Sequence, residues 1–177
     1  MTENATGAVD WPADIFAVLR EQQIIQVAHV PDAGHSTLLK ACEDDSEMRV
    51  VPLSTEEEGM ALLAGAWLGG QRGVMLMQSS GVGNCINMLS LTETCRFPLL
   101  MLVTMRGSFG EFNPWQVPMG QATSAVLRAM GCLIFEVDEA ARVRETVQAA
   151  AQMTFNGPAA CAVLLSQRLI GAKSFAK

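Results

Sequence analysis

Three adjacent carboxylates, Glu56, Glu57 and Glu58, are the most informative group of side chains that could carry chemistry in this 177-residue sequence. Ser54 and Thr55 precede them, so Glu58 with Thr55 and Glu57 with Ser54 fit the spacing of a capping box at a helix start. Acids in a first turn are also stabilised by the helix macrodipole. Glu56 is needed for neither capping pair. It is therefore either one more acid in a first turn or a carboxyl group that faces a ligand.

The segment 78–84 reads Gln-Ser-Ser-Gly-Val-Gly-Asn and joins a predicted strand to a predicted helix. Gly81 and Gly83 would allow a ligand to approach the backbone closely. They do not complete a dinucleotide-binding fingerprint, because Ile86 stands at the position of the third glycine and no acid ends the next strand. A Walker-type lysine and the GxSxG context of a hydrolase nucleophile are also missing. A tight, closely packed turn explains the glycines as well as a ligand site does.

Asp32 and His35 belong to a short loop that follows another predicted strand. Asp32 comes directly after Pro31, which is typical of an Asx turn. His35 is equally consistent with a partly exposed loop residue and with a residue at a ligand-binding edge.

The composition excludes several functional classes. Twelve Lys and Arg against 18 Asp and Glu give a formal charge of −6, and the scattered basic residues form no phosphate-binding surface for nucleic acid. Five cysteines without a CxxC pair indicate reduced, mostly buried thiols, and with only two histidines we expect no metal site. No leader opens the sequence and no apolar run reaches about 18 residues, so we expect a soluble cytoplasmic protein. Eleven Met and no Tyr suggest that a subunit interface covers part of the apolar surface.

Six apolar segments with strand character alternate with helical patterns along the chain, at 24–30, 49–53, 73–77, 99–104, 132–137 and 160–165. This alternation predicts an α/β fold, a doubly wound, mostly parallel six-stranded sheet with helices on both faces. Residues 1–9 are predicted to form a flexible tail and residues 10–177 a single domain. Ligands of such sheets bind beyond the carboxyl ends of the strands. Four loops are expected to meet there: 31–35, 54–58, 78–84 and 106–121.

Together, these loops resemble the pyrimidine-binding domain of thiamine-diphosphate enzymes. The resemblance is greatest to the alpha subunits of sulfopyruvate decarboxylases, followed by phosphonopyruvate decarboxylases. It covers nearly the whole chain beyond the tail and implies the thiamine-diphosphate-binding fold. It rests on five stretches in the same order: Val-Pro-Asp at 30–32, Thr-Glu-Glu-Glu-Gly at 55–59 with Ala-Gly-Ala-Trp at 64–67, the whole of 78–84, Arg-Gly at 106–107, and 110–120.

The resemblance implies a role for each candidate side chain. One glutamate at this helix start hydrogen-bonds N1′ of the cofactor's aminopyrimidine; the distance from Gly65 along the sequence assigns that role to Glu56, or to Glu57 if the helix is shifted by one residue. Asp32 matches a loop acid that faces the reacting centre, and His35 would assist proton transfer. The other cofactor-binding residues that the resemblance implies are Ser80, Gly81, Gly83, Asn84, Asn113 and Gln116.

The resemblance also implies a divided enzyme. Full-length members carry a second domain whose Gly-Asp-Gly motif binds Mg2+ and the diphosphate, and this sequence lacks that motif. A separate beta subunit would supply it, with alpha chains pairing in a hetero-oligomer. The implied reaction is the decarboxylation of 3-sulfopyruvate to sulfoacetaldehyde and CO2, with phosphonopyruvate or another 2-oxo acid as the alternative substrate.

Two alternatives stay open at this point. Arg106 is either a partner for the sulfonate or phosphonate of the substrate or an ordinary surface arginine. A different class of function is an α/β module that binds a nucleotide-like ligand without turnover, in which Glu56 only caps its helix.

Overall fold

The computed structural model describes residues 9–171, in which strands and helices alternate. The strands are β1 (Ile24–His29), β2 (Arg49–Pro52), β3 (Arg72–Gln78), β4 (Leu99–Thr104), β5 (Leu133–Val137) and β6 (Ala160–Leu165). The helices are α1 (Trp11–Glu21), α2 (Ser36–Glu43), α3 (Glu56–Leu68), α4 (Ser79–Cys85), α5 (Ser90–Cys95), α6 (Val117–Ala129), α7 (Val143–Asn156) and α8 (Gln167–Ile170).

The six strands form one sheet in the order β2-β1-β3-β4-β6-β5, and every neighbouring pair is parallel. The predicted α/β fold is thereby confirmed. The chain runs from β1 outwards to β2 and then returns past β1 to β3, so the strand order reverses between β1 and β3. Sheets of this kind bind ligands beyond the carboxyl ends of the two strands at such a reversal. A site is therefore expected beyond β1 and β3.

Apolar side chains fill both sides of the sheet, because its central strands are buried on both faces. Val74 and Leu76 of β3 pack towards α1, α2 and α7. Met75 and Met77 of the same strand point to the opposite face and pack with residues of α3, α4 and α6. All four side chains are fully buried, so these strand methionines are core residues.

The five cysteines are all free thiols. Burial raises the pKa of Cys42, Cys85 and Cys132 to about 12, so these thiols stay protonated and unreactive. Cys161 is buried as well, but Cys95 is exposed. The expectation of mostly buried thiols is therefore confirmed for four of the five cysteines, and Cys95, which ends the short helix α5 at the surface, is the exception.

The segment predicted as a loop over 106–121 is partly helical. A 3₁₀ turn at Pro114–Gln116 leads directly into α6, which begins at Val117. Pro114 and Pro118 both occupy first-turn positions, where the missing N–H has no helical partner to lose. The two prolines therefore start helical structure here, although they suggest a loop in the sequence.

The predicted tail consists of residues 1–8, which lie outside the described residues, and of the exposed Val9. The single domain over 10–177 stays a prediction. Within residues 9–171, no helix combines the length and apolar character needed to cross a membrane.

Candidate functional site

Glu56 is the first residue of α3 and follows β2 at the carboxyl edge of the sheet. Although it carries a carboxyl group, only 8% of its surface is exposed. Its Oε2 accepts a hydrogen bond of 2.8 Å from Asn84 Nδ2 of α4. Glu57, in contrast, is exposed to solvent. Of the two glutamates considered for a ligand contact, only Glu56 is enclosed.

The start of α3 is capped differently from the predicted pairing. Glu58 Oε2 accepts a 2.9 Å hydrogen bond from the backbone N–H of Ser54, and the side chain of the N-cap residue Thr55 makes no capping bond. The Glu58 side chain thus reaches past Thr55 to the residue before it. Glu56 takes no part in this cap, as its position in the sequence suggests.

Gly81 is the point at which α4 packs against Glu56. A Cβ atom at this position would lie 2.7 Å or less from three side-chain atoms of Glu56, Oε1, Cδ and Cγ. A Cβ atom at Gly83 would meet only Met119, whose Sδ lies 3.3 Å away. The first glycine is therefore required by the enclosed carboxyl group, whereas the second is exposed.

Asp32 is held by groups from three parts of the sheet edge. Its Oδ1 accepts a 2.9 Å hydrogen bond from Gln78 Nε2, and its Oδ2 accepts one of 2.6 Å from Thr104 Oγ1. Gly34 N also donates to Oδ2, at 3.1 Å, which is the predicted Asx turn. Gln78 Oε1 in turn accepts a 2.9 Å hydrogen bond from Ser80 Oγ. The ends of β1, β3 and β4 are thereby joined through one carboxylate.

His35 lies beneath this edge and does not reach it. The side chain is 1% exposed, and its Nε2 lies 3.3 Å from Met77 O and 3.1 Å from Leu102 O, so an Nε2–H tautomer donates to two strand carbonyls. Burial lowers the pKa of the imidazole, and the negative charge of the nearby Asp32 offsets this lowering only in part. The expectation of a partly exposed loop histidine is therefore wrong, because the side chain is buried below Asp32 and bonds to carbonyl groups of β3 and β4.

A groove of about 800 Å³ opens between α4 and the residues that lead into α6. Ser80 and Asn84 line one wall, so the groove is connected to Glu56 through the Asn84 amide. The other wall consists of Asn113, Pro114, Trp115, Pro118 and Met119. Three of the residues expected to bind a cofactor thus share one groove, whereas Glu56, Gly81, Gly83 and Gln116 do not line it. The Gln116 Oε1 atom is buried and has no hydrogen-bond partner among the described residues.

Apolar side chains remain exposed at the rim of this groove. Trp115 is 84% exposed, and Phe109, Phe112 and Val117 of the same segment are also exposed. Several large apolar side chains exposed within one segment favour a surface that binds another molecule.

Arg106 is committed to an internal ion pair. Its Nε and Nη2 each donate to the carboxylate of Glu111 at 2.6 Å, and the Glu111 side chain is 2% exposed. The backbone N–H groups of Gly107 and Asn113 also donate to Glu111. Hydrogen bonding by Arg106 lowers the pKa of Glu111 to about 2. Neither role considered for Arg106, substrate cation or surface residue, agrees with this burial and pairing; the side chain closes the loop.

Gln167 completes the same loop from the far end of the sequence. Its Nε2 donates to Glu111 Oε2 at 2.9 Å, and its Oε1 accepts from the backbone N–H groups of Ser108 and Phe109. No sequence pattern links residues that are so far apart along the chain. Gln78 and Thr104 carry a weak signal in the sequence, since each is a polar residue that closes a strand after a run of apolar residues.

The site offers polar and apolar contacts of the kind that suit a flat, polar heterocycle. Glu56 and Asn84 supply hydrogen-bonding groups, and Met119 and Trp115 supply apolar surface nearby. Among residues 9–171, no three His, Cys, Asp or Glu side chains are grouped so that they could hold a metal.

Comparisons with known proteins identify the family of the chain. The model of the family described as "Thiamine pyrophosphate enzyme, N-terminal TPP binding domain" matches residues 12–111. The chain is 35% identical over 158 residues to the sulfopyruvate decarboxylase subunit alpha of Methanothermobacter thermautotrophicus, covering 89% of this chain and 96% of that one. It is 37% identical over 117 residues to the phosphonopyruvate decarboxylase of Streptomyces viridochromogenes, covering 65% of this chain and 30% of that one.

A solved structure supports the fold. The 2-oxoglutarate:ferredoxin oxidoreductase of Magnetococcus marinus superposes with a TM-score of 0.74 at 12% identity, over 90% of this chain and 29% of the longer one. This chain thus spans less than a third of that protein. The topology, the family match and the similarity along nearly the whole of an alpha subunit lead to one conclusion: the chain belongs to the thiamine pyrophosphate enzymes, in the family of their decarboxylase alpha subunits.

Proposed function

We propose that this chain is the alpha subunit of a split thiamine-diphosphate-dependent decarboxylase that converts 3-sulfopyruvate to sulfoacetaldehyde and CO2. A separate beta subunit with a Gly-Asp-Gly motif would hold Mg2+ and the diphosphate of the cofactor. The similarity over 96% of a sulfopyruvate decarboxylase alpha subunit supports this substrate and this division. Phosphonopyruvate is the second candidate substrate, supported by the similarity to a phosphonopyruvate decarboxylase.

The observation that carries the proposal is the enclosure of Glu56. The carboxyl group is buried at the strand-order reversal, takes no part in helix capping and is held by Asn84. These properties suit a group that hydrogen-bonds N1′ of an aminopyrimidine. Because Asn84 donates to Oε2, the Oε1 atom remains to hold or accept a proton at the ring nitrogen. When bound, thiamine diphosphate supplies the electron sink for loss of CO2 from a 2-oxo acid.

The other residues are assigned by their positions around the groove. Ser80, Asn84 and Asn113 would contact the cofactor from the walls. Gly83 would allow its close approach to the backbone of α4, and Gly81 would contribute by making room for the Glu56 carboxyl group. We also assign Gln116 to the cofactor site: it does not line the groove, but its Oε1 has no hydrogen-bond partner among the described residues, and the residue lies between Asn113 and Met119 in sequence.

Asp32 is the second acid that we assign to the reaction. Three donors fix its carboxylate at the end of β1, so it would face the reacting centre in a single orientation. His35 would contribute only by supporting Asp32 from below, because its ring is buried and its Nε2 is used by two carbonyls.

The beta subunit would bind at the apolar rim of the groove. Trp115 is the most exposed aromatic residue there, and large exposed aromatic side chains commonly anchor protein interfaces. We further propose that two alpha chains pair within the hetero-oligomer. Since Arg106 is occupied by Glu111, the cation that recognises the sulfonate would come from the beta subunit.

The proposal is tested by co-expressing this chain with a Gly-Asp-Gly-bearing subunit from the same genome. Calorimetry with thiamine diphosphate and Mg2+ is expected to show tight binding to the complex and none to the alpha chain alone. CO2 release should then be faster from 3-sulfopyruvate than from phosphonopyruvate. Faster CO2 release from phosphonopyruvate would instead identify phosphonopyruvate as the substrate. No cofactor binding in either sample would overturn the decarboxylase proposal and favour a module without turnover.

A further inference from the structure

The loop that forms one wall of the groove is closed by buried polar groups. Glu111 lies at its centre and accepts hydrogen bonds from Arg106, from the N–H groups of Gly107 and Asn113, and from Gln167. Asn113 lines the groove, and the remaining residues of that wall follow it directly. The position of this wall therefore depends on how Glu111 is held.

Gln167 holds the same loop at two further points. Its Oε1 accepts hydrogen bonds of 3.1 Å from Ser108 N and 2.9 Å from Phe109 N. The side chain is 1% exposed and projects from the first residue of α8, directly after β6. A side chain at the end of the sheet thus makes hydrogen bonds to three residues of the loop, Ser108, Phe109 and Glu111.

The orientation of the Gln167 amide is fixed by the charge of Glu111. An ionised carboxylate can only accept hydrogen bonds, so the amide NH2 must face Glu111 and the amide oxygen must face the two backbone N–H groups. All three bonds are then satisfied at once. A glutamate at position 167 would place two acceptors together, and a methionine of similar size would make none of the three bonds.

The backbone of the loop packs closely against the start of α6. A Cβ atom at Gly107, where φ is +73°, would collide with the backbone of Gln116 and Val117. A Cβ atom at Gly120 would collide with the backbone of Arg106 and Gly107. The strand end, the loop and the first turns of α6 therefore move together, so that a change at Gln167 is transmitted to the groove wall.

We propose that Gln167 is a positioning residue for the groove, which sets the place of Asn113 and Trp115 through Glu111 and so sets the affinity for the cofactor and the partner. Gln167 lies outside the residues 12–111 that match the family model. The inference about affinity rests on the proposed function, whereas the inference about the loop does not.

The test compares Gln167→Met and Gln167→Glu with Gln152→Met, a matched control at an exposed position of α7. In the alpha chain alone, hydrogen exchange at Ser108 and Phe109 should become at least about tenfold faster in both Gln167 variants and stay unchanged in the control. In the alpha–beta complex, the Kd for thiamine diphosphate should rise about tenfold, while kcat at saturating cofactor changes less than about twofold. Gln167→Glu should show the larger effects.

The outcomes separate this inference from the proposed function. Faster exchange with an unchanged Kd would overturn the positioning role, and so would an equal loss of kcat and cofactor affinity. A wild-type complex that binds no thiamine diphosphate would overturn the proposed function, while the exchange measurement would still decide the role of Gln167 in the loop. If Gln167→Met does not fold, Gln167→Asn, which keeps the amide but is too short to reach both sides, takes its place with the same expectations.

Discussion

Glu56 and Glu57 are neighbours in sequence with opposite environments, and this makes them a matched pair for experiment. In the alpha–beta complex, Glu56→Gln is expected to lower kcat by about 100-fold or more, because an amide can accept the hydrogen bond from Asn84 but cannot exchange a proton with a ring nitrogen. Glu57→Gln should leave kcat unchanged, since Glu57 is exposed. CO2 release measures both variants. Equal losses in the two would contradict the assignment of Glu56.

The two glycines of α4 also have opposite environments, since Gly81 packs against Glu56 and Gly83 is exposed. Gly81→Ala is expected to destabilise the chain by about 1–3 kcal/mol and to lower activity, because the new methyl group would displace the Glu56 side chain. Gly83→Ala should be neutral or slightly stabilising, since alanine favours a helix and meets only the flexible Met119 side chain. Thermal unfolding and CO2 release report the two effects. A harmless Gly81→Ala would show that the contact with Glu56 is not tight.

At the scale of the element, the loop between β4 and α6 depends on one buried ion pair. Glu111→Gln is expected to destabilise the chain by about 3 kcal/mol, because it leaves the buried Arg106 without a compensating charge. Glu145→Gln provides the control: it breaks the exposed pair with Arg142 and should cost less than about 1 kcal/mol. Chemical denaturation gives both values. Equal effects would mean that the Arg106 pair is solvated.

The elements themselves were largely predictable from sequence, and the exceptions have physical causes. All six strands occur where apolar runs indicate them, because buried parallel strands need continuous apolar residues. The early start of α6 was missed, since Pro114 and Pro118 end helices as often as they begin them. The capping of α3 by Glu58 and Ser54 was missed by one residue, because the choice depends on side-chain reach and not on spacing.

The site was predictable to the extent that it follows from strand order. Glu56 and the 78–84 segment stand at strand ends, so their approach follows from the topology. The burial of His35 and the pairing of Arg106 could not be predicted, because both depend on packing between residues distant in sequence. Gln167 gave no signal at all, since its partners lie more than fifty residues earlier.

At the scale of the whole molecule, acid should weaken the fold in two separate pH ranges. Burial lowers the pKa of His35 below its ordinary value of 6.5, so the folded state resists protonation and the free energy of unfolding falls as the pH drops below that value. Burial also lowers the pKa of His29, which adds to the same loss of stability. The pKa of Glu111 falls from 4.5 to about 2, so its contribution is complete above 4.5 and is lost as the pH falls towards 2.

These two ranges can be separated by denaturation at a series of pH values. Replacing both histidines, as His29→Gln with His35→Gln, should remove the fall in the free energy of unfolding below pH 6.5 and leave the fall below pH 4.5. Glu111→Gln should remove the fall below pH 4.5 and leave the fall below pH 6.5. A double histidine variant with the same slope as the wild type below pH 6.5 would refute the assignment of the upper range to the imidazoles.

The exposed rim of the groove makes a prediction about assembly. Trp115→Ala is expected to weaken binding to the beta subunit by about 30-fold or more, because it removes the largest exposed apolar side chain of the rim. The exposed side chain makes little contact within the chain, so thermal unfolding of the alpha chain should be unchanged. Leu68→Ala, at another exposed apolar position on α3, serves as the control. Calorimetric titration of the two subunits measures the affinity, and an unchanged affinity would place the beta subunit elsewhere.

The position of β6 between β4 and β5 has a consequence for how the chain is made. On the ribosome, β5 emerges before β6, the one strand with which it pairs among residues 9–171, so β5 has no partner from this sheet until β6 follows. β6 then pairs with β4 on one side and with β5 on the other. Gln167, two residues later, reaches the Glu111 loop. Synthesis of β6 and Gln167 thus finishes the sheet and the groove wall together. A nascent chain acquires this binding surface only after residue 167 has been made, so a partner subunit cannot dock on the finished groove before that point.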